Sequence, residues 1–129
     1  MKKKILIVIA DYYEEIAKGL LNSSLRSIPK KSLIKIIRVP GVFEIPVTIS
    51  KNIKRYDAFL ALGCVIKGET PHFDFISSAT TNAIMDLSIN YKKPIGNGVI
   101  TCLNQRQAKA RKEKGKEAVK AIFSILTQK

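Results

Sequence analysis

The chain contains one histidine, His72, and two cysteines, Cys64 and Cys102. They show no metal-ligand spacing, and one histidine does not complete a usual zinc set with two separated cysteines. Both cysteines lie in or beside apolar strands and read as reduced core residues; a catalytic thiol at Cys64 is the alternative, opposed by burial. No metal and no cofactor is expected. Long apolar runs are also lacking. None approaches the roughly 20 residues of a membrane span. The basic start at residues 1–4 is followed by an apolar run that Asp11 stops, too short for a signal peptide. A cytoplasmic protein with no membrane partner is expected. Linkers, repeats and low-complexity segments are absent.

Acidic residues are scarce: 10 against 23 Lys and Arg, for a net charge of +13. Such a balance invites a nucleic-acid reading. The lysines, however, are scattered along the sequence, and the densest group, at 106–120, has no interleaved aromatic for base stacking. A solvated lysine-rich surface comes first, binding of phosphorylated small molecules second, and no nucleic-acid partner is expected.

What remains is ordinary for a globular domain: 129 residues, 46% hydrophobic and 26% charged. One domain over residues 1–129 buries roughly two thirds of its unfolded surface. Strands are predicted at 4–10, 32–39, 58–66 and 94–101. Helices are predicted from an Asp11 and Glu14 capping pair to about Leu25, and from Pro46 to about Arg55. A third runs over 71–91, with Phe73, Ile76, Ala83, Ile84, Leu87 and Tyr91 at helical spacing. Small residues at 77–81 would let another helix approach it closely. Asn104 and Gln107 open a fourth helix. A last one carries Ala118, Ala121, Ile122, Ile125 and Leu126 on one side. Continuous apolar strands alternating with helices imply a three-layer α/β/α sandwich on a four-stranded parallel sheet, of flavodoxin-like topology.

Ligands of such sheets bind outside the carboxyl ends of the strands. That selects residues 11–13, 41–45, 67–72 and 97–104. Tyr12 can stack on a flat heterocycle or pack on its own helix. Glu44 is a hydroxyl-binding group or, by default, a helix-start charge. Phe43 is core or pocket wall. Gly68, Glu69 and Thr70 precede a helix start, so their backbone N–H groups can cradle a phosphate, although the P-loop spacing is missing. Thr70 as N-cap and Pro71 as first helical residue put His72 in the first turn. The helix dipole there favours an anion and a neutral imidazole, suited to general base work near pH 7. Its plainer reading is a helix-start residue. Arg111 can clamp a phosphate or stand on a solvated face.

Taken together, these segments resemble one family. Val39-Pro-Gly-Val-Phe-Glu-Ile-Pro46 resembles the Pro-Gly-(small)-Phe-Glu-Ile-Pro motif of lumazine synthases. Residues 61–76, Ala-Leu-Gly-Cys-Val-Ile-Lys-Gly-Glu-Thr-Pro-His-Phe-Asp-Phe-Ile, resemble that family's Leu-Gly-x-Val-Ile-(basic)-Gly-x-Thr-x-His-(aromatic)-(acidic) motif. Gly98-Val-Ile-Thr101 with Gln107, Ala108 and Arg111, and the Lys114-Gly115-x-Glu117-Ala118 run, resemble two more. The match covers nearly the whole chain in order.

The resemblance implies the following roles. Tyr12 stacks on the pyrimidine substrate. Phe43 and Glu44 border the ribityl chain, with Glu44 accepting hydroxyl hydrogen bonds. Val65 and Ile66 give backbone contacts to the heterocycle. Gly68, Glu69 and Thr70 hold the phosphate of the second substrate. His72 carries protons. Arg111 reaches the phosphate, and Asn97 the heterocycle, from an adjacent subunit. The implied reaction condenses 5-amino-6-(D-ribitylamino)uracil with 3,4-dihydroxy-2-butanone 4-phosphate to 6,7-dimethyl-8-ribityllumazine, without metal or cofactor. A homo-pentamer, alone or within a larger shell, is implied, with riboflavin synthase a further candidate partner. The chain departs from the family at Tyr13, where many members have asparagine, and at Asn97, where many have an apolar or aromatic residue. It is also shorter between Arg111 and Lys114. The competing readings are an archaeal-type riboflavin synthase, a non-catalytic lumazine- or flavin-binding or shell-forming homologue, and a basic nucleic-acid binder.

Overall fold

The computed structural model describes residues 2–68 and 72–128. Four strands, β1 (Lys4–Ala10), β2 (Leu33–Val39), β3 (Ala58–Ile66) and β4 (Ile95–Cys102), form one all-parallel sheet in the order β2-β1-β3-β4. This is the α/β winding expected from the sequence, with its switch point between β1 and β3. The central strands read as unbroken apolar runs because both of their faces are covered.

Helices α1 (Glu14–Ser27), α4 (Gln105–Ala110) and α5 (Lys114–Leu126) cover one face, over Ile5, Ile7, Ile9, Leu60 and Leu62. Helices α2 (Ile45–Lys51) and α3 (His72–Tyr91), with a 3-10 turn at Val42–Glu44, cover the other, over Leu6, Val8 and Phe59. Each such fully buried side chain contributes roughly 1.5–3 kcal/mol. No helix among the described residues is long and apolar enough to cross a membrane.

Three expectations are corrected. Helix α1 starts at Glu14, not at an Asp11 cap: Tyr13 is its N-cap and makes no side-chain capping bond. Asp11 is held instead by the sheet. Its N–H donates to the Val39 carbonyl at 3.2 Å, and its carboxylate lies 3.9 Å from Arg38. Helix α2 stops at Lys51, and the chain turns through Asn52 to Arg55. Helix α5 is rotated about its axis. It buries Gly115, Ala118, Val119 and Ile122, leaving Ala121 exposed and Ile125 46% exposed. The reason is close packing. A Cβ on Gly115 would collide with the Leu20 carbonyl and the Ser24 hydroxyl, and one on Gly96 would lie 2.6 Å from the Ala118 carbonyl. The small stripe therefore faces inward. The Asn104 expectation holds: its Oδ1 accepts the Gln107 N–H at 2.9 Å. The return bond goes one residue earlier than in the usual box, with the Leu103 N–H donating to Gln107 Oε1 at 2.8 Å.

Candidate active site

Two clefts share the sequence-derived residues between them. The first, about 400 Å³, opens at the carboxyl ends of β1 and β3. Tyr12 and Tyr13 enter it from the β1–α1 connection, Val42 and Phe43 from the 3-10 turn, Cys64, Val65 and Ile66 from the end of β3, and His72 and Ile76 from the start of α3.

Local sequence explains this shape. Pro40 and Gly41 break the chain after β2, and the Glu44 N–H closes the turn onto the Gly41 carbonyl at 3.2 Å. The turn seats on β3 because residue 63 is glycine. A Cβ there would lie 2.7 Å from Val42 Cγ1 and 3.1 Å from Ala10 Cβ. A glycine inside a strand signals such an approach, although the sequence reading gave Gly63 no role. Glu44, half-buried, folds its carboxylate back over Gly41, 3.2 Å from where a Cβ would stand. It stands beside Gly41, which lines the cleft, and is not itself a lining residue. The pairing of β1 with β3 ends at Ile9 with Leu62, while β3 runs on to Ile66. The overhanging segment, residues 63–66, pairs only with β4. Its backbone on the β1 side borders the cleft, which suits a ligand read by main-chain groups.

The inner wall is uncharged. Burial pushes the Cys64 thiol up to about 12, helped by Cys102 beside it. Burial also raises the Tyr13 hydroxyl, with Cys64 and Tyr12 adding to the shift. Both groups stay protonated at neutral pH. Cys64 and Cys102 are free and buried, as expected of core thiols, although Cys64 also lines the cleft. The outer wall is aromatic: Tyr12 is 75% and Phe43 60% exposed, unusual for such large rings. Ala10, Tyr13, Val42, Cys64 and Ile76 also line the cleft, and sequence reasoning gave none of them a binding role. The visible signal was Tyr13's place after a strand end.

The second cleft, about 630 Å³, runs along the free edge of β4. Asn97, Val99 and Thr101 form one side; Arg111, Glu113, Lys114 and Glu117 form the other. Asn97 Oδ1 accepts the Val99 N–H at 3.1 Å, and Arg111 Nη1 donates to the Thr101 carbonyl at 3.2 Å. The short turn carrying Arg111 is anchored from α1. Ser23 Oγ donates to the Lys112 carbonyl at 2.8 Å, and Arg26 pairs with Glu113 at 3.0 Å. No residue lines both clefts. One protomer thus brings Tyr12, Phe43, Val65, Ile66 and His72 together and holds Asn97 and Arg111 apart from them. Gly68 stands in open space just after β3. Glu69, Thr70 and Pro71, with the expected N-cap, lie outside the described residues.

A sequence model of 6,7-dimethyl-8-ribityllumazine synthase matches residues 2–129. Proteins of that name are similar along most of their length. The one from Agrobacterium fabrum is 38% identical over 141 residues, covering 99% of this chain and 95% of its own. That from Bartonella henselae is 40% identical over 138 residues, covering 99% and 89%. That from Cutibacterium acnes is 38% identical over 133 residues, covering 96% and 80%. With a four-stranded parallel sheet, a cleft at the switch point and a match over nearly its whole length, the chain belongs to the 6,7-dimethyl-8-ribityllumazine synthase family.

Proposed function

We propose that this chain is a transferase of riboflavin biosynthesis that condenses 5-amino-6-(D-ribitylamino)uracil with 3,4-dihydroxy-2-butanone 4-phosphate, releasing 6,7-dimethyl-8-ribityllumazine, phosphate and water. The observation that carries this is the aromatic-walled cleft at the ends of β1 and β3, built from family motifs. The pyrimidine ring lies against Tyr12, its edge on the backbone of Val65 and Ile66. Phe43 flanks the ribityl chain and Glu44 accepts its hydroxyls. Gly68, Glu69 and Thr70 receive the phosphate. The amine of the pyrimidine attacks the ketone to form a Schiff base, phosphate leaves, and the second amine closes the ring. His72, in the first turn of α3, relays protons between these steps. Holding the two substrates together supplies much of the acceleration.

The site is completed by a second copy. Asn97 and Arg111 line another cleft of the same protomer, which supports a role for them in the His72 cleft of a neighbour. A homo-pentamer satisfies this with one head-to-tail contact repeated around a ring. The surface of α3 supports it: only Thr80 and Ile84 are buried, while Phe75, Met85 and Ile89 are 68%, 55% and 63% exposed. Two unbridged cysteines, Cys64 and Cys102, support a cytoplasmic setting for the reaction.

The test is turnover. The purified protein is mixed with both substrates, and lumazine fluorescence and phosphate release are followed together. Both rise in step above the spontaneous reaction if the reading is right. A folded protein that binds the pyrimidine without turning it over refutes it.

A further inference from the structure

The basic residues are dispersed in sequence and gathered by the fold. In an all-parallel sheet every strand begins at the same pole, here opposite the substrate cleft. Each of the four segments leading into a strand carries at least two adjacent cations: residues 2–4 before β1, Lys30 and Lys31 before β2, Lys54 and Arg55 before β3, and Lys92 and Lys93 before β4. Backbone bonds hold these segments side by side. The Leu33 N–H donates to the Lys3 carbonyl at 2.8 Å, the Asp57 N–H to the Lys4 carbonyl at 2.8 Å, and the Phe59 N–H to the Pro94 carbonyl at 3.1 Å. Lys93 Nζ donates to the Ile53 carbonyl at 2.6 Å. The one acid beside these cations, Asp57, takes the Lys4 backbone N–H at 2.8 Å. Both ion pairs among the described residues, Arg26 with Glu113 and Arg38 with Asp11, lie elsewhere.

A groove of about 550 Å³ opens at this pole, where Lys4, Lys35, Lys54 and Arg55 surround Tyr56 and Leu33. We propose that this pole binds single-stranded nucleic acid through its phosphate backbone. The cations extend across all four strand beginnings, so they match a chain of regularly spaced phosphates better than a single anion. Tyr56, half-buried among these cations, offers a ring against which a base can lie, while the apolar surface beside it is confined to Leu33 and Ile34. The proposal stands whether or not the cleft at the other pole turns over lumazine precursors.

The test uses the intact protein and a fluorescein-labelled oligouridylate, with anisotropy followed between about 50 and 200 mM salt. The variant Lys30→Glu/Lys31→Glu/Lys54→Glu reverses three exposed charges at the pole. The control Lys18→Glu/Lys116→Glu/Lys120→Glu makes the same net change on the exposed surfaces of α1 and α5. The pole variant is expected to bind at least about tenfold more weakly, and its slope of log K against log salt to fall by about 2, as for three lost phosphate contacts. The control stays close to the parent. Equal losses in both variants would show that net charge alone is acting, and would overturn the proposal. So would binding to phosphatidylserine vesicles without binding to the oligonucleotide.

Discussion

Tyr12 and Tyr13 meet edge to face, with ring centroids 5.0 Å apart and planes at 83°. Tyr13 is half-buried and packs against the core, whereas Tyr12 projects into the cleft. The contact makes Tyr13 a brace for the ring proposed to stack on the pyrimidine, a pairing worth about 0.5–1.5 kcal/mol. Tyr13→Phe keeps the brace and should leave KM for the pyrimidine near the parent value. Tyr13→Ala should raise it about 3- to 10-fold, with a smaller change in kcat. Steady-state kinetics in both substrates, with circular dichroism to verify folding, decides the matter. A Phe variant as impaired as the Ala variant would assign the effect to the hydroxyl.

The separation of His72 and Arg111 makes a mixing experiment decisive. His72→Ala alone should slow turnover about 100- to 10,000-fold if the imidazole is the proton carrier. Arg111→Ala should chiefly raise KM for the phosphorylated ketone. Unfolded and refolded together in equal amounts and assayed at a ketone concentration too low for the Arg111→Ala protein, the two impaired proteins should recover about a quarter of parental activity, because a quarter of the proposed head-to-tail interfaces then pair an intact His72 with an intact Arg111. No recovery from well-folded mixed oligomers would place both residues in one protomer's site.

Ser23 does not line the first cleft, yet its hydroxyl ties α1 to the turn that carries Arg111. Ser23→Ala leaves the Lys112 carbonyl without that donor and should cost about 1–2 kcal/mol of stability. It should also raise KM for the phosphorylated ketone while leaving that for the pyrimidine unchanged. A parallel rise in both would point to general loosening instead.

Gly115→Ala should destabilise the fold by about 1–3 kcal/mol or more, because the new methyl meets the Leu20 carbonyl where α1 and α5 touch. Urea denaturation reads this directly. A variant as stable as the parent would mean that the two helices part easily.

The Cys64 thiol gives a pH signature with a definite sign. Its folded value, about 12, lies above the ordinary 9.0. Below pH 9 the thiol is protonated in both states and stability is indifferent to pH through this group. Above 9 the unfolded chain releases the proton and the folded one retains it, so stability falls as pH rises toward 12. The difference in urea midpoint between parent and Cys64→Ala should therefore shift against the parent between pH 8 and 10. Native alkylation at pH 8 should be slow compared with the unfolded chain. Fast alkylation would refute the burial argument.

Most of the architecture was legible because its signals are local. Continuous apolar runs gave β1 and β3 at their observed limits, and the Asn104 and Gln107 pair gave the start of α4. The misreadings came where a distant partner decides. Asp11 fits a helix cap, but β2 claims its N–H. The face of α5 follows the fit of its Gly115 against Leu20 and Ser24 of α1 and of its Ala118 against Gly96 of β4, partners that no periodicity within α5 contains. In the cleft, Tyr12, Phe43, Val65, Ile66 and His72 were readable from strand ends and motifs. Gly63 and the Tyr13 brace were not, since their roles exist only once three connections converge.

The side chains on the outer rim of β4 carry one more consequence. An edge strand offers a free ladder to any extended peptide. Here Asn97 occupies the Val99 N–H and Arg111 occupies the Thr101 carbonyl. Two rungs are filled by residues of the chain itself, so a foreign strand must displace them to dock. Copies of this protein are steered away from zipping into fibrils along that rim, and a crowded assembly can form by side-chain fit without the hazard of cross-β growth.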